Sequence, residues 1–266
     1  VTTAWIVICF AIFLIGLTKS GLGAGMGLIV VPICTIALGY TSRGSQAALG
    51  LLLPLLIAGD LLSIWQYRKL FDFKLVKPLL IPTAVGIALG SWLLWLIHDQ
   101  QNQRLVSALM RLEIGLESVV LVSLAWWRQY RGDEHKLLPE PLRSWITGSF
   151  TGVSTTLAHA AGPVVAMYLL PLKPERRAFV GTTALFFFIA NTAKLPTYYF
   201  AKQFEHAELG FTVRFLPFVV IGAMVGFWLV KNFTNQGYLK FVYWATFGIG
   251  VYLVVDSTVT LVRMNG

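Results

Sequence analysis

The chain has 266 residues, 56% of them hydrophobic and only 12% charged, with a mean hydropathy of +0.71. So few charges cannot cover a soluble surface of this size, whereas a membrane-spanning helix asks for roughly 20 mostly apolar residues. A net charge of +9 would suggest nucleic acid in a soluble protein. Here the basic residues sit mainly in short loops between apolar stretches, where topology signals lie, so nucleic acid is excluded as a partner.

In chain order the apolar stretches fall at 4–18, 26–39, 47–66, 75–97, 105–127, 145–170, 178–201, 212–231 and 238–262. They predict an all-α polytopic membrane protein with eight spans, a count from seven to ten being compatible with the pattern. The stretch 26–39 is short for a span, and glycines separate it from 4–18, so 4–39 reads as a broken or re-entrant element. The stretch 145–170 is interrupted in the same way. The most polar connection, 128–144, carries Arg128, Arg131, Asp133, Glu134, His135, Lys136, Glu140 and Arg143. It divides the chain into a first transmembrane repeat, 1–127, and a second, 145–266. The basic loop 67–77 shares a side with 128–144, assigned to the cytoplasm; the basic loop 171–177 falls opposite, against that rule. Cys9 and Cys34 lie in apolar stretches and suggest neither a disulfide framework nor a metal site. The first apolar stretch runs into glycines rather than a cleavage site, so no cleavable signal peptide is expected.

The two halves share landmarks. Gly86-x-x-x-Gly90-x-Trp92 follows Pro82, and Gly222-x-x-x-Gly226-x-Trp228 follows Pro217, 136 residues on. Gly27 and Gly162 each open an apolar run, and Tyr67 and Tyr199 each close a span. Small residues four apart make a flat stripe on a helix, so the plain role of both motifs is helix packing, with the tryptophans toward a membrane interface.

Three segments carry polar groups where apolar ones would suffice. Thr18-Lys19-Ser20-Gly21-Leu22-Gly23-Ala24-Gly25 would interrupt a helix and expose backbone N–H groups to an anion, with Lys19 adding charge and Ser20 a hydroxyl; the bland alternative is a flexible hairpin with an interfacial lysine. The glycines do not form a nucleotide-binding loop, since no Gly-Lys-Ser/Thr follows. Thr155, Thr156, His159 and Gly162-Pro163 mark a second break, because proline suits the first turn of a helix. His159 is either a packing residue or a donor to an oxyanion. Asn191 and Lys194, three apart on one face and followed by Pro196, lie deep in 178–201; Lys194 either binds an anion or pairs with Asp60. Glu113 and Glu117 share a face and read as an interhelical ion-pair set, with a proton path as the alternative.

The ordered set His159-Ala-Ala-Gly162-Pro163, Tyr168, Phe179, Thr182, Phe187, Asn191 and Lys194, with the first-half glycine segment and Pro32, resembles the TauE/SafE sulfite exporter family over nearly the whole chain. The resemblance implies export of sulfite, sulfoacetate or related organosulfonates, and no catalytic residue. One departure is that the second break reads Thr-Leu-Ala-His-Ala-Ala-Gly-Pro where many members have a second glycine-rich loop, which makes the two sides of any site chemically unequal. The expectation is therefore a non-enzymatic secondary transporter of the bacterial inner membrane. It needs no cofactor or metal, and its partners are a small organic or inorganic anion and the lipid bilayer, with a homo-oligomer allowed. Substrate would be bound by Lys19, Ser20, Gly23, Gly25, Thr155, Thr156, His159, Gly162, Asn191 and Lys194. The competing readings are an anion channel, a membrane scaffold or assembly protein without transport, and a membrane enzyme using His159, Thr155 and Lys194.

Overall fold

A computed structural model describes residues 2–22, 30–31, 33–34, 37–38, 47–98, 139–159, 161–172, 174–204, 209–232 and 235–265, with scattered helical positions between 108 and 130. Among the described residues there is no strand. The helices are α1 (Thr2–Leu17, continued by a π-helical turn, Thr18–Leu22), α2 (Ala47–Gln66), α3 (Phe73–His98), α4 (Leu142–Ala158), α5 (Gly162–Leu169), α6 (Arg176–Ala193), α7 (Leu195–Phe200), α8 (Leu209–Asn232) and α9 (Asn235–Asn265). Pro54, Pro78, Pro82 and Pro217 all lie inside helices, a placement that membrane helices tolerate where neighbours satisfy the freed backbone groups.

Five segments among the described residues are long and apolar enough to span a bilayer: Thr3–Gly21, Ala48–Gln66, Phe73–Trp95, Arg176–Phe200 and Thr212–Asn232. The chain is thus a polytopic helical membrane protein. Within the expected stretch 105–127 only scattered helical positions are described, and Glu113 and Glu117 lie outside the described residues. The stretch 145–170 is two helices, α4 and α5, separated at 159–161.

Two helix pairs are held backbone to backbone. α1 packs on α8, and α3 on α4. A Cβ added at Gly16 would overlap the Val219 carbonyl, and one at Gly222 the Phe13 carbonyl. In the other pair, a Cβ at Gly86 would overlap the Ser149 carbonyl and one at Gly152 the Thr83 carbonyl. The Gly-x-x-x-Gly stripes are therefore packing surfaces, as lipid offers helices no hydrophobic reason to associate and close approach supplies one. The Gly222 and Gly226 stripe of α8 thus seats α1, and the Gly86 and Gly90 stripe of α3 seats α4. Trp92 and Trp228 point outward and are exposed. Between these pairs α2 lies against α6. Ile8, Ile12 and Ile15 of α1 bury against Leu51, Leu52 and Leu55 of α2, while Val165 and Leu169 of α5 bury against Val180 and Phe186 of α6.

A polar clasp ties the entry of α4 to the end of α5. The Tyr168 hydroxyl donates to Glu140 Oε1 at 2.8 Å, the Arg143 guanidinium lies 3.4 Å from the same oxygen, and it stacks 4.2 Å from the Tyr168 ring centroid. Burial pushes the Glu140 carboxyl up, but the hydrogen-bonding groups of Ser144, the Tyr168 hydroxyl and the Arg143 charge outweigh it and hold it below its ordinary 4.5. A carboxyl held low in the folded state stabilises fully above its unfolded value, and that stability fades as pH falls through the lower folded value. Glu140→Gln should flatten the acid limb of a plot of thermal midpoint against pH in detergent, below about pH 4.5, and leave the neutral limb nearly parallel to that of the parent. Gly222→Val and Gly86→Val should each cost about 1–3 kcal/mol by overpacking in unfolding experiments. Gly248→Ala, with nothing within 4 Å of the added carbon, should cost nothing.

Candidate functional site

Both helix breaks open on one small cavity. Its polar lining is Thr18 and Lys19 from the π-helical turn, Thr155 and His159 from the end of α4, Gly162 from the start of α5, and Thr183 and Asn191 from α6; Leu56, Ala184 and Phe187 complete it. The cavity measures about 30 Å³, room for roughly two waters on the same measure. It suits a few oxygen atoms and excludes anything of nucleotide size.

The local sequence explains the shape. The π-helical turn at 18–22 is the wide-turn geometry often found at functional sites, and it swings Lys19 inward. At the second break, His159 has φ 53° and closes α4 in the left-handed conformation, its N–H donating to Thr155 O. A histidine held there costs about 1–2 kcal/mol of backbone strain. By position, the first N–H groups of α5 have no acceptor inside that helix.

Lys19 Nζ lies 2.8 Å from Asp60 Oδ1 and 4.4 Å from the Phe187 ring centroid. Asp60 is fully buried, and its second oxygen accepts from Asn191 Nδ2 at 2.7 Å. The expected alternative for Lys194, a pair with Asp60, is corrected here: Asp60 takes Lys19 and Asn191 as its partners. Lys194, also fully buried, donates to Thr155 O and Thr155 Oγ1, both at 2.9 Å, and contacts His159 Nδ1 at 3.0 Å. A carbonyl oxygen can only accept, so the ring proton sits on Nε2, which donates to Leu49 O at 3.2 Å, and Nδ1 accepts from Lys194 Nζ. His159 is thereby fixed in one neutral tautomer with both nitrogens engaged.

Eight of the ten residues expected at a site are described, and they form one cluster: Lys19, Ser20, Thr155, Thr156, His159, Gly162, Asn191 and Lys194. Their geometry divides them. Lys19, Thr155, His159, Gly162 and Asn191 face the cavity. Ser20 bonds Ser63 at 2.8 Å and Thr156 donates to Gly152 O within its own helix, so both hold the frame. Lys194 stands behind Thr155 and His159. Gly23 and Gly25 lie outside the described residues.

Three participants were not among the expected site residues. Asp60 was visible as the one acid within 47–66, but not as the partner of Lys19. Tyr67 donates to Ser20 O at 2.7 Å, and Tyr198 to Thr156 O at 2.6 Å, so each break has a carbonyl tied down by a tyrosine. The adjacent Tyr199 is exposed.

A family model described as Sulfite exporter TauE/SafE matches residues 8–253. No curated protein and no solved structure matches the chain.

Tyr198→Phe should lower unfolding stability in detergent by about 1 kcal/mol, the worth of one hydrogen bond. Lys194→Met should cost more, about 2–3 kcal/mol, because it leaves His159 Nδ1 buried without a donor and removes two hydrogen bonds to Thr155. Equal costs would show that the Lys194 network carries no special weight.

Proposed function

Since the chain belongs to the TauE/SafE family of sulfite exporters, a family of membrane transporters, we propose that it is a non-enzymatic secondary transporter of small sulfur-containing anions, sulfite or organosulfonates such as sulfoacetate, working outward across a bacterial inner membrane. The observation that carries the reading is the cavity in which the Lys19 ammonium, the Thr155 hydroxyl and the start of α5 converge. These are the groups an oxyanion needs: a charge, a hydroxyl donor, and backbone N–H groups at a helix N-terminus. His159 supports the site through Lys194 rather than by donating to the anion, because its one N–H is already given to Leu49.

Alternating access follows from a duplicated design. Asp60 and Asn191 each precede their tyrosine, Tyr67 or Tyr198, by seven residues, and they bond to each other. Contact between like positions is what a two-fold relation between halves produces. Rocking about that contact would open Lys19 to one side and then the other. The sequence has no nucleotide-binding motif, and the membrane potential drives an anion outward with about 2.3 kcal/mol per charge per 100 mV.

In proteoliposomes the full chain should move sulfite and sulfoacetate faster under an imposed potential, with saturation and counterflow. Lys19→Met should lower the rate at least about tenfold, as expected when a charge-assisted contact is lost. Absence of flux for every small sulfur anion tried would defeat the proposal, and flux without saturation or counterflow would point to a channel instead.

A further inference from the structure

Contacts between helices fix which of their ends share a face. Gly148 of α4 sits against Leu79 and Pro82 of α3, and Thr156 against Gly90, so α3 and α4 run in the same direction and begin on one face. α2 and α6 run in opposite directions, because Asp60 bonds Asn191 while Tyr67 lies on Gly181. The Asp72 N–H, in the turn after α2, donates to Thr182 Oγ1 of α6 at 2.8 Å. The bond between Tyr168 and Glu140 folds α5 back beside α4 as a hairpin. The end of α2, the turn into α3, the entry of α4, the end of α5 and the start of α6 therefore lie together. The expectation that the basic loop 171–177 falls opposite 67–77 is corrected here: the break after α4 returns the chain to the face it entered from.

The basic residues follow this arrangement. Arg68, Lys69, Lys74 and Lys77 are exposed on that face, and Arg176 and Arg177 open α6 there. α1 runs in the direction of α2, with Ile15 on Gly59 and Ser20 on Ser63. α8 runs with α1, with Gly16 on Val219 and Gly21 on Gly226, which brings Lys231 to the same face. Among the described residues the opposite face has Lys202 after α7, Arg214 early in α8 and Arg263 at the end of α9. The described acids of the basic face are Asp72, Glu175 and Glu140, the last engaged by Arg143. A guanidinium stays charged in any surroundings. Arg176 stands two helical turns before Thr183, on the side of α6 that lines the cavity, about 10 Å along the helix axis. The Arg177 and Arg176 charges act on the buried Tyr67 hydroxyl, which bonds Ser20 O at the first break, so the field of this rim reaches the cavity wall.

Short cytoplasmic loops of membrane proteins carry the excess of Lys and Arg, and a mouth lined by one sign of charge concentrates ions of the other sign. We infer that this face is the cytoplasmic one, and that Arg176 and Arg177 form the inner edge of a mouth that gathers small anions for the cavity from that side. The inference rests on the cavity being the anion site proposed above, and it adds the side from which the anion is loaded.

Orientation is tested by labelling. In spheroplasts of a bacterial host, a membrane-impermeant maleimide should label Arg263→Cys above the background of Cys9 and Cys34, and Lys69→Cys only after lysis. The mouth is tested by sulfite uptake into everted vesicles, whose cytoplasmic face is outward, and into right-side-out vesicles. Replacing Arg176 and Arg177 together by Gln should raise KM at least about threefold in everted vesicles, through lost attraction of the anion, with kcat retained. KM in right-side-out vesicles should not move, and Lys at both positions should restore the wild-type value. Added salt should raise the wild-type KM in everted vesicles only, and that measurement decides if the Gln variant does not fold. A merely structural role would lower kcat in both vesicle types and spare KM. The inference is overturned by reversed labelling, by a KM indifferent to the two arginines or to salt, or by a KM effect that vanishes in proteoliposomes of phosphatidylcholine alone, which would assign the rim to anionic headgroups. Uptake by neither vesicle type removes the transport reading and the mouth together, whereas uptake with an unchanged KM removes the mouth and leaves transport standing.

Discussion

A carboxylate with no exposed surface, inside a chain surrounded by lipid, must find all its partners within the protein, and at Asp60 those partners come from two other segments. Lys19 arrives from the π-helical turn after α1, and Asn191 arrives from α6. Removing either would leave a buried charge short of a partner, a far larger penalty than any surface ion pair returns. The positions of the turn at 18–22 and of α6 relative to α2 are thus fixed by one side chain. The cavity between them inherits its shape from that constraint.

The surrounding frame is rigid for a different reason. Glycines at 16, 222 and 226 bring α1 and α8 into backbone contact, and those at 86, 148 and 152 do the same for α3 and α4. Polar residues at the breaks are then presented by stiff supports, with Tyr67 and Tyr198 pinning a carbonyl at each break. The strained His159 backbone persists because Lys194, Leu49 and Tyr198 surround it with fixed partners.

Much of this was legible in the amino-acid order. Composition and apolar stretches gave the membrane class and the helices, and the Gly-Pro pair located the break before α5, because proline belongs in a first helical turn. Lys19, His159 and Lys194 stood out since ionisable groups within apolar stretches are rare. The pairing among them did not. Which of Lys19 and Lys194 reaches Asp60 depends on the swing of a π-helical turn and on the left-handed residue at 159, and neither has a local sequence signature. The same turn geometry decides that Ser20 and Thr156 serve the frame while Thr155 lines the cavity. Tyr198 and Tyr199 look alike in sequence, and only the helix face decides that Tyr198 is the buried one that bonds Thr156.

The bond between Asp60 and Asn191 bears on how such a molecule could have arisen. In the duplicated design proposed here these are the same position in two copies, brought face to face. Two aspartates there would repel unless one stayed protonated, and two asparagines would leave Lys19 without its counter-ion. Once one copy kept the acid and the other the amide, neither could substitute for the other. A single gene encoding identical halves could no longer supply this centre, so fusion, followed by divergence at this one position, would have been difficult to reverse.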